Sequence, residues 1–218
     1  MRLEKERIEI VEYGKKLISS GLTKGTSGNI SIYNKEEGLM AVSPSGMDYF
    51  EVQPDDVVVM NLNGDIVEGI RKPSSEYHLH SLVYQSVKNV SAVVHTHSTN
   101  ASTMSVLRET LPAVHYMIAI TGSFEVPCAE YETFGTEELA QSAVKAMGDG
   151  KACFLANHGL LTCGTSLRQA LAIAENVEWI SELYLKAKAA GKVTVLNNEE
   201  MQDVLTQFPS YGQTKKIV

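Results

Sequence analysis

The chain has 218 residues, 44% of them hydrophobic and 21% charged, with a formal net charge of −7. That length builds one well-buried core and is short for two. The acidic balance argues against a nucleic-acid surface, and no apolar run approaches the roughly 20 residues of a membrane-spanning helix.

The charged start, Met1 to Arg7, does not read as a signal peptide. It leads into an amphipathic helix over 6–20, with Ile10, Val11, Gly14, Leu17 and Ile18 on one face of a 3.6-residue period. The Gly/Ser/Thr-rich loop Thr23 to Asn29 then feeds a strand over 30–33. A second strand over 39–43 runs into Pro44-Ser45-Gly46. Loops of this kind serve either as hairpin turns or as anion-binding nests. Asn63-Gly64 between the apolar runs 57–61 and 65–67 signals a hairpin. Pro73-Ser74-Ser75-Glu76 opens a helix, with Ser74 or Ser75 as its N-cap and Glu76 in its first turn. The free N–H groups of such a start also make a phosphate site.

Residues 91–94 are small or β-branched and end in His95-Thr96-His97. On a strand, residues i and i+2 share a face, so His95 and His97 project together. Two imidazoles on one face hold a transition metal, Zn²⁺ being the default for nitrogen ligands. A third ligand is needed, and His158, after the apolar run 152–155, is the candidate; Glu76 becomes a carboxylate beside the metal if its helix start faces the histidines. His78-Leu79-His80 has the same spacing but lies on a helix, where i and i+2 diverge by about 200°. It therefore cannot chelate. His78 reads as exposed, and His80 as a partner for Glu76 one turn earlier.

Further on, 100–109 reads as a short helix and 113–120 as a buried strand, with His115 and Tyr116 on opposite faces. A short strand is expected within 125–130. Thr136 caps a helix carrying Leu139, Ala140, Ala143, Val144 and Met147 on one face. Strands over 151–157 and 160–163 flank His158. The longest helix spans 166–190, ending at Gly191, with Glu178, Glu182 and Lys186 on its solvated face. The tail 205–218 reads as a surface extension. Cys128, Cys153 and Cys163 are odd in number and lack metal-ligand spacing, which fits reduced thiols in a cytoplasmic protein.

Gly28-Asn29, Ser43-Pro44-Ser45-Gly46, Pro73-Ser74-Ser75-Glu76, His95-Thr96-His97, His115-Tyr116-Met117-Ile118 and Ala156-Asn157-His158-Gly159 stand in one order and spacing. In this the chain resembles the class II aldolase/adducin family over nearly its whole length. The resemblance implies a single-domain, three-layer α/β/α fold over 1–218 around a mainly antiparallel sheet, and a cyclic homotetramer with sites at subunit interfaces. It implies one Zn²⁺ per subunit on His95, His97 and His158, with Glu76 as fourth ligand and base. It also implies a phosphate grip from Gly28, Asn29, Ser45, Gly46, Ser74 and Ser75. Tyr116 would come from a neighbouring subunit as proton donor, and Tyr211, in the tail, would close over the site. The length and the 115–119 run look most like the branch that cleaves L-fuculose 1-phosphate reversibly to dihydroxyacetone phosphate and L-lactaldehyde. L-Ribulose-5-phosphate 4-epimerase and methylthioribulose-1-phosphate dehydratase activities, or a non-catalytic adducin-like interaction module, remain the alternatives at this stage.

Overall fold

The computed structural model describes residues 1–208. Helix α1 spans Glu4–Ser19 and buries Ile10, Gly14 and Leu17, the face read from the sequence. Strands β1 (Asn29–Asn34), β2 (Leu39–Val42), β3 (Val58–Asn61) and β4 (Ile66–Glu68) follow as antiparallel neighbours. Helix α2 is Tyr77–Ser86, β5 is Ala92–Thr96 and α3 is Thr99–Leu107. Strand β6 is only Cys128–Ala129, α4 is Glu137–Met147, β7 is Ala152–Leu155 and β8 is Gly159–Gly164. Helices α5 (Leu167–Ala190) and α6 (Asn198–Gln207) complete the described chain.

The eight strands form one sheet in the order β4-β3-β2-β1-β5-β8-β7-β6, antiparallel throughout except for β6 beside β7. Alternation along β1 explains the layers. Ile30 and Ile32 enter a core shared with α1, α3, α5 and α6. Across the sheet, Val93 of β5 and Leu161 of β8 pack with Leu79 and Val83 of α2 and Leu139 and Ala143 of α4. The result is the three-layer, mainly antiparallel architecture expected, and no helix among the described residues is long and apolar enough to cross a membrane.

Four local readings are corrected. Residues 113–120 are not a strand: a 3-10 helix spans Tyr116–Thr121, begun by the His115 side chain accepting from the Met117 N–H. His115 and Tyr116 therefore pack ring on ring, 4.7 Å between centroids, instead of facing apart. Neither serine caps α2, because Glu76 itself is the N-cap residue and the Ser74 hydroxyl accepts from its N–H at 3.3 Å. Glu178 is not simply solvated: its carboxylate accepts from the N–H groups of Asn100 (2.9 Å) and Ala101 (2.8 Å) and so caps α3. Leu205 lies in α6 and packs on the core, so the tail reading fails for 205–207; residues 209–218, Tyr211 among them, lie outside the described residues.

Two loops reach the future site because α1 leaves room for Tyr49. This ring is buried over Gly14, and a methyl group there would overlap it. The Tyr49 hydroxyl lies 3.2 Å from Ser43 Oγ and 3.3 Å from the Gly28 carbonyl, bracing both loops. Overpacking costs about 1–3 kcal/mol, so Gly14→Ala is expected to lower the unfolding free energy by that order, read as a lower urea midpoint at unchanged slope. An unchanged midpoint would show that the ring is free to move away.

Candidate active site

Strand β5 carries His95 at its buried end and releases His97 just beyond it. The turn between β7 and β8 carries His158. That turn is held by Asn157 in the left-handed region (φ 53°), a conformation asparagine tolerates. Its N–H donates to the Ser105 carbonyl, and its side-chain carbonyl accepts from Arg108 Nε at 2.8 Å. Gly159 follows because any Cβ there would strike the Thr96 carbonyl and the His97 ring. Glu76 arrives from the start of α2 and is 6% exposed.

The four side chains converge, one ligand atom from each lying within 4.8 Å of the others. His95 Nε2 is the hub: it lies 2.8 Å from His97 Nε2, 3.2 Å from His158 Nε2 and 3.3 Å from Glu76 Oε2. His158 Nε2 is 3.4 Å from Glu76 Oε1. His95 Nδ1 donates to the Leu160 carbonyl at 3.0 Å, which leaves a lone pair on Nε2. Burial, aided by His158 and His97, holds the His95 imidazole well below its usual range. Burial, then His158, lowers His97 also. Protonation of these rings is thus disfavoured at neutral pH, and their lone pairs point at one another. Glu76 Oε1 is buried with no hydrogen-bond partner. Converging lone pairs and an orphaned carboxylate oxygen fit a divalent cation, and three nitrogens with one oxygen are a donor set suited to transition metals.

Glu76, His97 and His158 line a cleft of about 360 Å³, with His95 buried behind them. The opposing walls include all six residues singled out for phosphate: Gly28, Asn29, Ser45, Gly46, Ser74 and Ser75. The second and third loops are tied together, since Ser45 N–H donates to Lys72 O and Ser74 N–H to Ser43 O, each at 3.0 Å. No Lys or Arg lines the cleft among the described residues. Tyr131 and Phe134, not singled out from the sequence, add aromatic faces, and both are exposed. Their only sequence signal was two aromatic residues in a polar loop, 130–135. Tyr116 is 43% exposed and does not line this cleft. His78 is half-buried against the Tyr77 ring, 3.9 Å from Glu137. His80 does not pair with Glu76 directly: both its nitrogens are engaged by β1.

Residues 8–185 match the model of the class II aldolase and adducin N-terminal domain. The chain belongs to the class II aldolase/adducin family. Among relatives of this family member, a 5-deoxy-D-ribulose 1-phosphate aldolase of Bacillus thuringiensis serovar kurstaki is 50% identical, covering 98% of this chain and all of that protein. An L-fuculose phosphate aldolase of Escherichia coli K12 is 38% identical over 94% of each chain. A solved structure titled L-fuculose 1-phosphate aldolase superposes with a TM-score of 0.92 at 46% identity, covering 94% of this chain and 96% of the other.

Proposed function

We propose that this protein catalyses the reversible, metal-dependent aldol cleavage of a deoxyketose 1-phosphate to dihydroxyacetone phosphate and a short aldehyde. The observation that carries the reading is the convergence of three imidazoles and Glu76 at a cleft whose lining includes serine hydroxyls, glycines and a helix start. We take the cation to be Zn²⁺, held by His95, His97, His158 and Glu76. When bound, it supplies Lewis-acid stabilisation of the negative charge that develops next to the ketone.

The chain's own residues do the rest. Ser45, Ser74 and Ser75 hydroxyls, the Asn29 amide and the backbone at Gly28 and Gly46 grip the phosphate, orienting the ketose so that its C3–C4 bond lies at the cation. Glu76 moves a proton at the cleaving carbon–carbon bond. Tyr116, turned away from its own cleft, serves as proton donor in a neighbouring copy, which requires the oligomer, a homotetramer in this reading. Tyr211 closes over the aldehyde end.

The proposed preferred substrate is 5-deoxy-D-ribulose 1-phosphate, cleaved to dihydroxyacetone phosphate and acetaldehyde. Support comes from the 50% identical relative and from Tyr131 and Phe134, whose apolar faces suit a terminal methyl group. L-Fuculose 1-phosphate, giving L-lactaldehyde, is the second reading, favoured by the 46% identical structure. Both are tested by following dihydroxyacetone phosphate release through a coupled NADH-dependent reductase. The expected result is chelator-sensitive release from both, with the higher kcat/KM for the five-carbon sugar. A reversed order would return the assignment to L-fuculose 1-phosphate. No release from either by folded, zinc-loaded protein would sink the aldolase reading and turn attention to epimerisation of ribulose 5-phosphate.

A further inference from the structure

His80 is fully buried and lies one helical turn past Glu76 on α2. It makes no hydrogen bond to Glu76 or to the three clustered histidines. Instead it faces Asn29 and Ser31, residues i and i+2 of β1, which share the face that α2 covers. Its Nδ1 is 2.7 Å from Ser31 Oγ, its Nε2 is hydrogen-bonded to Asn29 Oδ1, and Asn29 Nδ2 donates to Glu76 Oε2 at 2.8 Å. Ser31 Oγ in turn lies 2.6 Å from the Tyr84 hydroxyl. Asn29 pairs with His95 across β1 and β5, so the amide sits between the relay and the histidines.

The direction of this chain follows from donor and acceptor chemistry. A carboxylate only accepts, so Asn29 must turn its NH₂ to Glu76 and its carbonyl to His80. His80 Nε2 must then carry a proton. Burial disfavours a charged ring, its pKa being pushed down to about 3, chiefly by desolvation. A neutral ring with Nε2–H accepts at Nδ1, from the Ser31 hydroxyl, whose oxygen accepts from Tyr84. The opposite tautomer would draw the Asn29 NH₂ toward His80 and aim its carbonyl at the carboxylate, an unfavourable pairing in a buried site.

We propose that His80 is a positioning residue for Glu76: by donating from Nε2 to Asn29 it turns the Asn29 amide toward the carboxylate and holds Oε2 at the histidine cluster. The proposal rests on the reading of that cluster as a metal-dependent aldol site. Removing an outer partner of a metal ligand typically costs about 10–100-fold in affinity or activity.

The test uses full-length, zinc-loaded protein and the variants His80→Leu, His80→Gln and Ser31→Ala, each checked by thermal melting. Two quantities are read: zinc affinity by competition with a chelating dye, and kcat and KM for the ketose phosphate. His80→Leu is expected to weaken zinc binding and lower kcat by about 10–100-fold, with a smaller change in KM. His80→Gln, which keeps a donor toward Asn29, recovers most of both losses. If His80→Leu does not fold, Ser31→Ala carries the same test, since it removes the hydroxyl that holds the ring at Nδ1, and is expected to move both quantities the same way. Wild-type zinc affinity and kcat in a folded His80→Leu, or in Ser31→Ala where His80→Leu does not fold, would overturn the proposal. So would a His80→Gln variant no better than Leu. Should the wild type cleave no ketose phosphate, the functional reading falls, and the zinc-affinity series alone decides the relay.

Discussion

His95→Ala is expected to leave the protein folded, to remove its ability to retain a divalent cation through dialysis, and to cut aldol cleavage by more than about a thousandfold. The size follows from the Lewis-acid role, which is worth several kcal/mol of charge stabilisation, each 1.4 kcal/mol being about tenfold in rate. His95 is the ligand to remove because its Nε2 lies within 3.3 Å of a donor atom from each of the other three. It is also preorganised, being buried in the sheet and oriented by the Leu160 carbonyl. The variant leaves that carbonyl without its donor, at a cost of about 1–3 kcal/mol. A lowered melting temperature is therefore part of the expected result. The measurement is metal content by atomic spectroscopy alongside the coupled assay. A variant with wild-type zinc and unimpaired cleavage would disprove the assignment of this cluster as the catalytic metal site.

Glu76→Gln is the second large effect. Gln matches the shape, and its carbonyl still accepts from Asn29 Nδ2, so the helix start and the cleft keep their form. The side chain no longer takes a proton. Loss of a positioned general base costs about 10²–10⁴-fold, and kcat is expected to fall by that order with a modest change in KM. Three imidazoles remain, so the cation is retained more weakly but measurably. Retained zinc with collapsed kcat separates the proton-transfer role from the ligand role. Unchanged kcat would reassign the base.

The convergence of His95 and His97 was legible because His-x-His on a strand puts both rings on one face, and the small and β-branched residues before it point to a strand. What was not legible is tertiary. His80 reads from sequence as a partner for Glu76, its neighbour by one turn, since nothing local reveals that β1 packs under α2. Residues 113–120 read as a strand because a continuous apolar run carries no period; the His115 side chain instead starts a 3-10 helix whose Ile118 and Ala119 are buried in the core. Helix α6 went unread, although Asn197 and Glu200 form a capping box and Met201, Val204 and Leu205 follow at helical spacing. Long helices such as α5 were read nearly to the residue, because Ser166 and Gly191 mark both ends.

The absence of Lys and Arg from the cleft lining, among the described residues, carries a kinetic consequence. With a net charge of −7 and no Lys or Arg at the cleft among its described residues, the chain leaves local attraction for a phosphorylated sugar to the proposed cation, against the repulsion of the acidic molecule as a whole. Diffusional encounter then proceeds against a weak repulsion, which salt screens over about 10 Å at 0.1 M. In a titration of ionic strength, kcat/KM stays level or rises, the reverse of an enzyme that draws its substrate in with cationic residues. Capture is left to contact, after collision, with hydroxyls and backbone already in place.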